Sequence, residues 1–197
     1  MQLGAQDFLR LVEKAGSIVF YDLEATGLKG DYNSVLCVSI KPFGQKAVTF
    51  AIEKPGRDKQ VVEQAAAMLA QADAWVTYYG KGFDFKMINT RLLRWGLPPL
   101  LSKPHIDMYY TLKSHLNTSR RSQAHLLDWL QVQTDKDEAQ YMGKVAKKMS
   151  VSAEEWNNVL ADPTKSMRVM IKRCESDTAG LEALYRRTKH LIREIKA

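Results

Sequence analysis

The sequence predicts an α/β protein: a mixed sheet of five strands flanked by helices, followed by a largely helical C-terminal half. Three observations carry this. The run Ser17-Ile18-Val19-Phe20-Tyr21 is apolar and rich in β-branched and aromatic residues, the mark of a strand buried on both faces. Two more strand-like runs follow at the spacing of an antiparallel meander. From Met108 onward the pattern is almost entirely helical.

The elements follow in order. Residues 6–14 have helical spacing, with Phe8, Leu9, Leu11 and Val12 available for a buried stripe. The first strand starts at Ser17, and Lys29-Gly30-Asp31-Tyr32-Asn33 reads as a loop. Residues 34–41 and 45–52 are the second and third strands, separated by Pro42-Phe43-Gly44. Pro55-Gly56-Arg57 breaks the meander, and residues 59–71 form an Ala-rich helix before a short strand over 74–78. A Gly-containing turn, Tyr79-Gly80-Lys81-Gly82-Phe83-Asp84, opens a helix whose apolar face is Phe85, Ile88, Leu92 and either Met87 or Leu93. That helix ends near Trp95-Gly96, and residues 104–107 make a fifth strand. Ser152-Ala153-Glu154-Glu155 is a capping box, and Asp162-Pro163 supplies an N-cap and N1 proline for the last helix. Residues 134–150 read as a polar linker with a basic helix around Lys144, Lys147 and Lys148. A helical insertion is therefore expected over 134–162 of a single domain.

Composition bounds the function classes. A chain of 197 residues with 45% hydrophobic and 26% charged residues is ordinary for a globular domain. No apolar run is long enough to span a bilayer, and the N-terminus lacks a secretory pattern, so a cytoplasmic protein is expected. Cys37 and Cys174, far apart in apolar surroundings, read as reduced core cysteines rather than a disulfide or zinc site. The formal charge of +7 suits a polyanionic partner without establishing one.

Acids at element ends carry the chemistry. Asp22 and Glu24 end the first strand two residues apart and project to the same side. They are either solvated strand-end acids or ligands of a hard divalent cation, which favours carboxylate oxygens. Asp84 either caps its helix or lies at the carboxyl end of the sheet, where sites on open α/β sheets gather. The last helix has an apolar stripe of Met167, Met170, Ile171, Cys174, Leu181, Leu184 and Tyr185, and position 177 in that stripe is Asp. A buried acid is paired or coordinated. Asp177 is therefore either in a core salt bridge or a further ligand of the same cation.

Three segments together, Tyr21-Asp22-Leu23-Glu24-Ala25-Thr26-Gly27-Leu28, Tyr79-Gly80-Lys81-Gly82-Phe83-Asp84 and Arg173-Cys174-Glu175-Ser176-Asp177, resemble the motifs of the DEDD exonucleases of the ribonuclease H-like fold. The chain looks most like the predicted 3′–5′ exonucleases related to the proofreading domain of family B polymerases. The resemblance implies that Asp22, Glu24, Asp84 and Asp177 are catalytic and hold two Mg²⁺ or Mn²⁺ ions. It also implies hydrolysis of single-stranded DNA or RNA ends, with Thr26, Tyr79, Lys81, Phe83 and Arg173 touching the nucleic acid. Tyr32 and Tyr78 are further candidates for stacking on bases. The alternative is a weak or inactive nucleic-acid-binding module that keeps the metal site. The chain departs from the pattern where the family places a water-orienting Tyr or His. Arg173 stands at the tyrosine position and Lys172 at the histidine position. His105, His125 and Tyr79 are the candidates to stand in, and Arg173 is expected at a phosphate or on the helix surface. Asp107, outside the three motifs, is expected to be supporting or structural.

Overall fold

The computed structural model describes residues 4–54, 56–132 and 152–195. The sheet is organised around β1 (Ile18–Ala25). Its alternate side chains enter two cores. Val19, Tyr21 and Leu23 pack with α2 (Lys59–Gln71) and α3 (Asp84–Arg94). Ile18 and Phe20 pack with α1 (Ala5–Ala15) and the C-terminal part of α7 (Pro163–Thr188). A strand covered on both faces needs apolar residues at every position, which is why this run shows no alternation.

β2 (Val35–Pro42) pairs antiparallel with β1, and β3 (Val48–Ala51) antiparallel with β2. β4 (Ala74–Thr77) runs parallel to β1, and β5 (His105–Asp107) parallel to β4. The order is β3-β2-β1-β4-β5, the expected mixed sheet of five strands. β3 is shorter than the sequence suggests, because the turn after Pro42 takes in Gln45, whose N–H donates to the Pro42 carbonyl at 3.0 Å. β4 stops before Tyr78, because the chain then turns through Tyr79 at φ 66°. On α3, Met87 completes the apolar face, while Leu93 is exposed.

After β5 come α4 (Met108–His115), α5 (Gln123–Trp129) and α6 (Ala153–Ala161), the last preceding α7. α6 packs on α7 and buries Val159 completely. The expected linker and its basic helix at Lys144, Lys147 and Lys148 lie outside the described residues. Among the described residues no helix is long and apolar enough to cross a membrane. Cys37 and Cys174 are buried free thiols, as expected.

Two buried polar joints fix the helices to the sheet. Asp58 precedes α2 without capping it. Its carboxylate accepts from Arg91 Nε at 2.8 Å and Nη2 at 2.9 Å, from Trp95 Nε1 at 2.8 Å and from the Val35 N–H at 2.8 Å. This ties α3 to the start of β2. On the other face, Glu182 of α7 pairs with Lys41 of β2 and accepts from the Gly44 N–H at 3.0 Å.

Candidate metal centre

Asp22 and Glu24 continue the β1 face that carries Ile18 and Phe20, so they point at α7. Asp177 reaches them from the buried stripe of that helix and is itself only 2% exposed. One carboxylate oxygen from each of Asp22, Glu24 and Asp177 lies within 4.8 Å of the others. Two local features aim these acids. β1 shifts register against β2 between Glu24 and Ala25, a bulge of the kind that re-aims a side chain. Gln123 Nε2 of α5 donates to the Asp177 carbonyl at 2.8 Å, holding that turn of α7 in place.

Arg173 lies in the cluster, not at the helix surface. Its Nε is 2.6 Å from Glu24 Oε1 and 3.9 Å from Asp177 Oδ2, which brings opposite charges together without the alignment of a hydrogen bond. Its Cζ lies 5.7 Å from the Trp156 ring centroid on α6. Both sequence alternatives for Asp177 are thus partly met: it joins the acids, and an arginine is near, with Glu24 as that arginine's closer partner. The Cys174 thiol lies beside this group of acids and is not part of it. Burial keeps its thiol protonated, and Sγ donates to the Asp22 carbonyl at 3.2 Å.

Asp84 is not one of these three and bonds to the backbone of β1 instead. β4 pairs with β1 only as far as Phe20, which leaves the Leu23 N–H on that edge without a strand partner. Asp84 Oδ1 accepts it at 3.0 Å. The carboxyl is pushed up to about 7, first by burial and then by the charges of Asp107 and Glu24, against the pull of its backbone donors.

The Gly-rich turn before α3 is held by Asp107, the supporting acid. Its Oδ1 accepts from the Tyr79 N–H at 2.8 Å and the Tyr109 N–H at 3.1 Å, and its Oδ2 from the Lys81 N–H at 3.1 Å. These bonds keep Tyr79, a bulky residue, in the left-handed region, a strain that structures retain mainly at working sites. Gly80 is required by contact: a Cβ there would sit 2.5 Å from Thr77 Cβ.

The remaining expected residues divide. Tyr79 is 47% exposed and forms a cluster with Tyr109 and with Tyr110, itself 45% exposed, the centroids 5.1–6.0 Å apart. Lys81 lines a cleft of about 430 Å³ beside that cluster, with Tyr110, His115 and Arg193. Phe83 packs against the core below α3. The Thr26 hydroxyl donates to Asn33 Oδ1 at 3.2 Å and accepts from the Ser34 N–H at 3.1 Å, closing the β1–β2 loop. Tyr32 is exposed on that loop, while the Tyr78 hydroxyl donates to the Arg121 carbonyl at 2.5 Å. His105 is a core residue, packed edge-on or tilted against Tyr21, Trp75 and Phe85, and burial holds its pKa down to about 3. His125 lies half-buried on α5. Trp156, Gln123 and the site role of Arg173 were not found by sequence reasoning, since each depends on which helix packs beside α7.

A family model of the RNase_H superfamily, RNase_H_2, matches residues 19–188. No curated protein matches the chain. Among solved structures, the family B DNA polymerase from the hyperthermophilic archaeon Pyrobaculum calidifontis is similar, with a TM-score of 0.67 at 15% identity. That alignment covers 87% of this chain and 24% of the polymerase chain.

Proposed function

The chain belongs to the RNase H superfamily, a fold of metal-dependent nucleases, and from that premise we propose a 3′–5′ exonuclease that hydrolyses terminal phosphodiesters of single-stranded DNA or RNA. The observation that supports this best is the meeting of Asp22, Glu24 and Asp177 within 4.8 Å, from a strand and a helix distant in sequence. Like charges this close are unfavourable without cations among them, and the single guanidinium of Arg173 offsets only part of three carboxylates. An all-oxygen donor set suits Mg²⁺ or Mn²⁺.

Two such ions, when bound, supply a Lewis acid for the attacking water and for the departing 3′ oxygen. Asp22, Glu24 and Asp177 would hold them, with Asp84 at the margin. Asp84 anchors the edge of β1 through the Leu23 N–H, and with its carboxyl near 7 it can hold or release a proton beside Glu24. Tyr79 and Tyr110 offer exposed rings for terminal bases, and Lys81 and Arg193 offer cations for phosphates. Phe83, packed into the core, and Thr26, engaged in its loop, would act by shaping the backbone near the acids.

A second reading, a binding module with little or no catalysis, is favoured by one observation: Arg173 stands on Glu24 where the family pattern has a water-orienting side chain. Oligonucleotides labelled at the 3′ or the 5′ end, incubated with Mn²⁺, Mg²⁺ or EDTA, separate the two. A metal-dependent ladder shortening from the 3′ end is expected, and Asp22→Ala should abolish it while leaving the circular dichroism spectrum unchanged. Binding with no cleavage under any metal would establish the second reading instead.

A further inference from the structure

The acid cluster already contains a positive charge. Arg173 projects from the same face of α7 as Asp177, one turn earlier, and its Nε reaches Glu24 Oε1 at 2.6 Å while lying 3.9 Å from Asp177 Oδ2. Glu24 and Asp177 are both buried, so their charges are poorly served by solvent, and a cation beside them lowers the cost of keeping both ionised. A guanidinium cannot lose its proton at any ordinary pH. Only displacement can remove this charge from the cluster.

The side chain is open to solvent on one side. It is 21% exposed, more than twice its partner Glu24. The approach of its Nε to Glu24 lacks hydrogen-bond alignment, whereas Arg91 Nε is aligned on Asp58. The Trp156 ring, 5.7 Å from Cζ, lies along the guanidinium as well, so a contact that does not involve the acids is already in place.

We propose that Arg173 is a tethered counter-ion that competes with divalent metal for Glu24 and Asp177, so that loading the site requires the guanidinium to leave the cluster. The proposal rests on the metal-site reading above. It makes the metal-free chain a closed state in which the acids are already neutralised in part. Metal binding is then an exchange of cations and is weaker than three carboxylates alone would give.

Calorimetric titration of Mn²⁺ into the intact chain tests this, comparing the unaltered protein with Arg173→Gln and Arg173→Lys. Charges within 4–6 Å change ion affinities by about one to three powers of ten. Arg173→Gln should therefore bind Mn²⁺ at least about tenfold more tightly, and Arg173→Lys should stay close to the unaltered protein. In EDTA, Arg173→Gln should melt at a lower temperature, and Mn²⁺ should restore the loss. An arginine with a merely structural role would lower the melting temperature without tightening Mn²⁺ binding. That result, or weaker Mn²⁺ binding by Arg173→Gln, overturns the competition while leaving the metal site standing. Absence of Mn²⁺ binding in all three proteins would overturn the proposal together with the metal-site reading.

Discussion

Burial makes the charge on Asp84 a function of pH near neutrality. The unfolded chain releases this proton near 3.8 and the folded chain near 7, so between those values the folded state holds more protons. Stability contributed by this residue therefore falls as pH rises through that window. His105 acts the other way. With its pKa held down to about 3 against 6.5, its folded form binds fewer protons, and stability falls as pH drops below 6.5. The two effects oppose each other in mild acid, and above pH 6.5 the Asp84 effect is the one that remains. Asp84→Asn removes it while keeping an oxygen to accept from the Leu23 N–H. Melted in EDTA across about pH 5 to 8, the variant should gain on the unaltered protein as pH rises. Parallel curves would mean that the carboxyl titrates as an ordinary acid.

At the scale of elements, the placement of Asp177 depends on how α7 is registered against the sheet. Below the apolar stripe runs a polar row, Glu175, Thr178 and Glu182, which faces β2 and β3. Thr49 Oγ1 donates to Glu175 at 2.9 Å, Thr178 and Ser39 hydroxyls lie 3.1 Å apart, and Lys41 pairs with Glu182. Ser39 is the cross-strand neighbour of Asp22, so this row sets Asp177 opposite the acids of β1. Lys41 and Glu182 side chains are 6% and 3% exposed, and deleting one partner of such a pair costs about 3–5 kcal/mol. Urea unfolding of Glu182→Ala should show a loss of that size. The double variant Lys41→Met with Glu182→Leu should recover most of it, because no charge is left buried alone. A loss below about 1 kcal/mol for the single variant would mean that the register is held by the apolar stripe.

This row also marks where reading the sequence stops. The apolar stripe of α7 is legible because its 3.6-residue period says which residues share a face, and Asp177 stands out as the acid within it. Asp22 and Glu24 are legible through the period of two in a strand. Glu175, Thr178 and Glu182 are not, since periodicity cannot tell a buried polar row from a solvated one. The turn of Asp84 toward Leu23 is equally hidden, because it follows from β4 ending its pairing at Phe20. Arg173 is the instructive case. Its place in the motif shows a departure, but only the packing of α7 on β1 shows that the departure puts a cation among the acids.

For the whole molecule, the carboxyl ends of the parallel strands β1, β4 and β5 gather on one rim of the sheet, and the features suited to a polyanionic strand gather there too. The net charge of +7 supplies a general attraction that salt screens, whereas exposed rings supply one that salt barely touches. Tyr110 sits where the two meet, 45% exposed, in contact with Tyr79 and at the mouth of the cleft that Lys81 and Arg193 line. If the strand crosses this cluster, Tyr110→Ala should weaken binding of a single-stranded oligonucleotide in EDTA by about 1–3 kcal/mol, the value of one stacked base. The dependence of log affinity on log salt should keep its slope in that variant, since no phosphate contact is lost. Lys81→Gln should do the reverse, with a modest loss of affinity and a slope shallower by about 0.7, the contribution of one phosphate contact on a single strand. Fluorescence anisotropy at several salt concentrations measures both quantities for each variant. Normal binding by Tyr110→Ala would route the strand away from the β5 side, and the exposed Tyr32 on the β1–β2 loop would then be the ring to replace next.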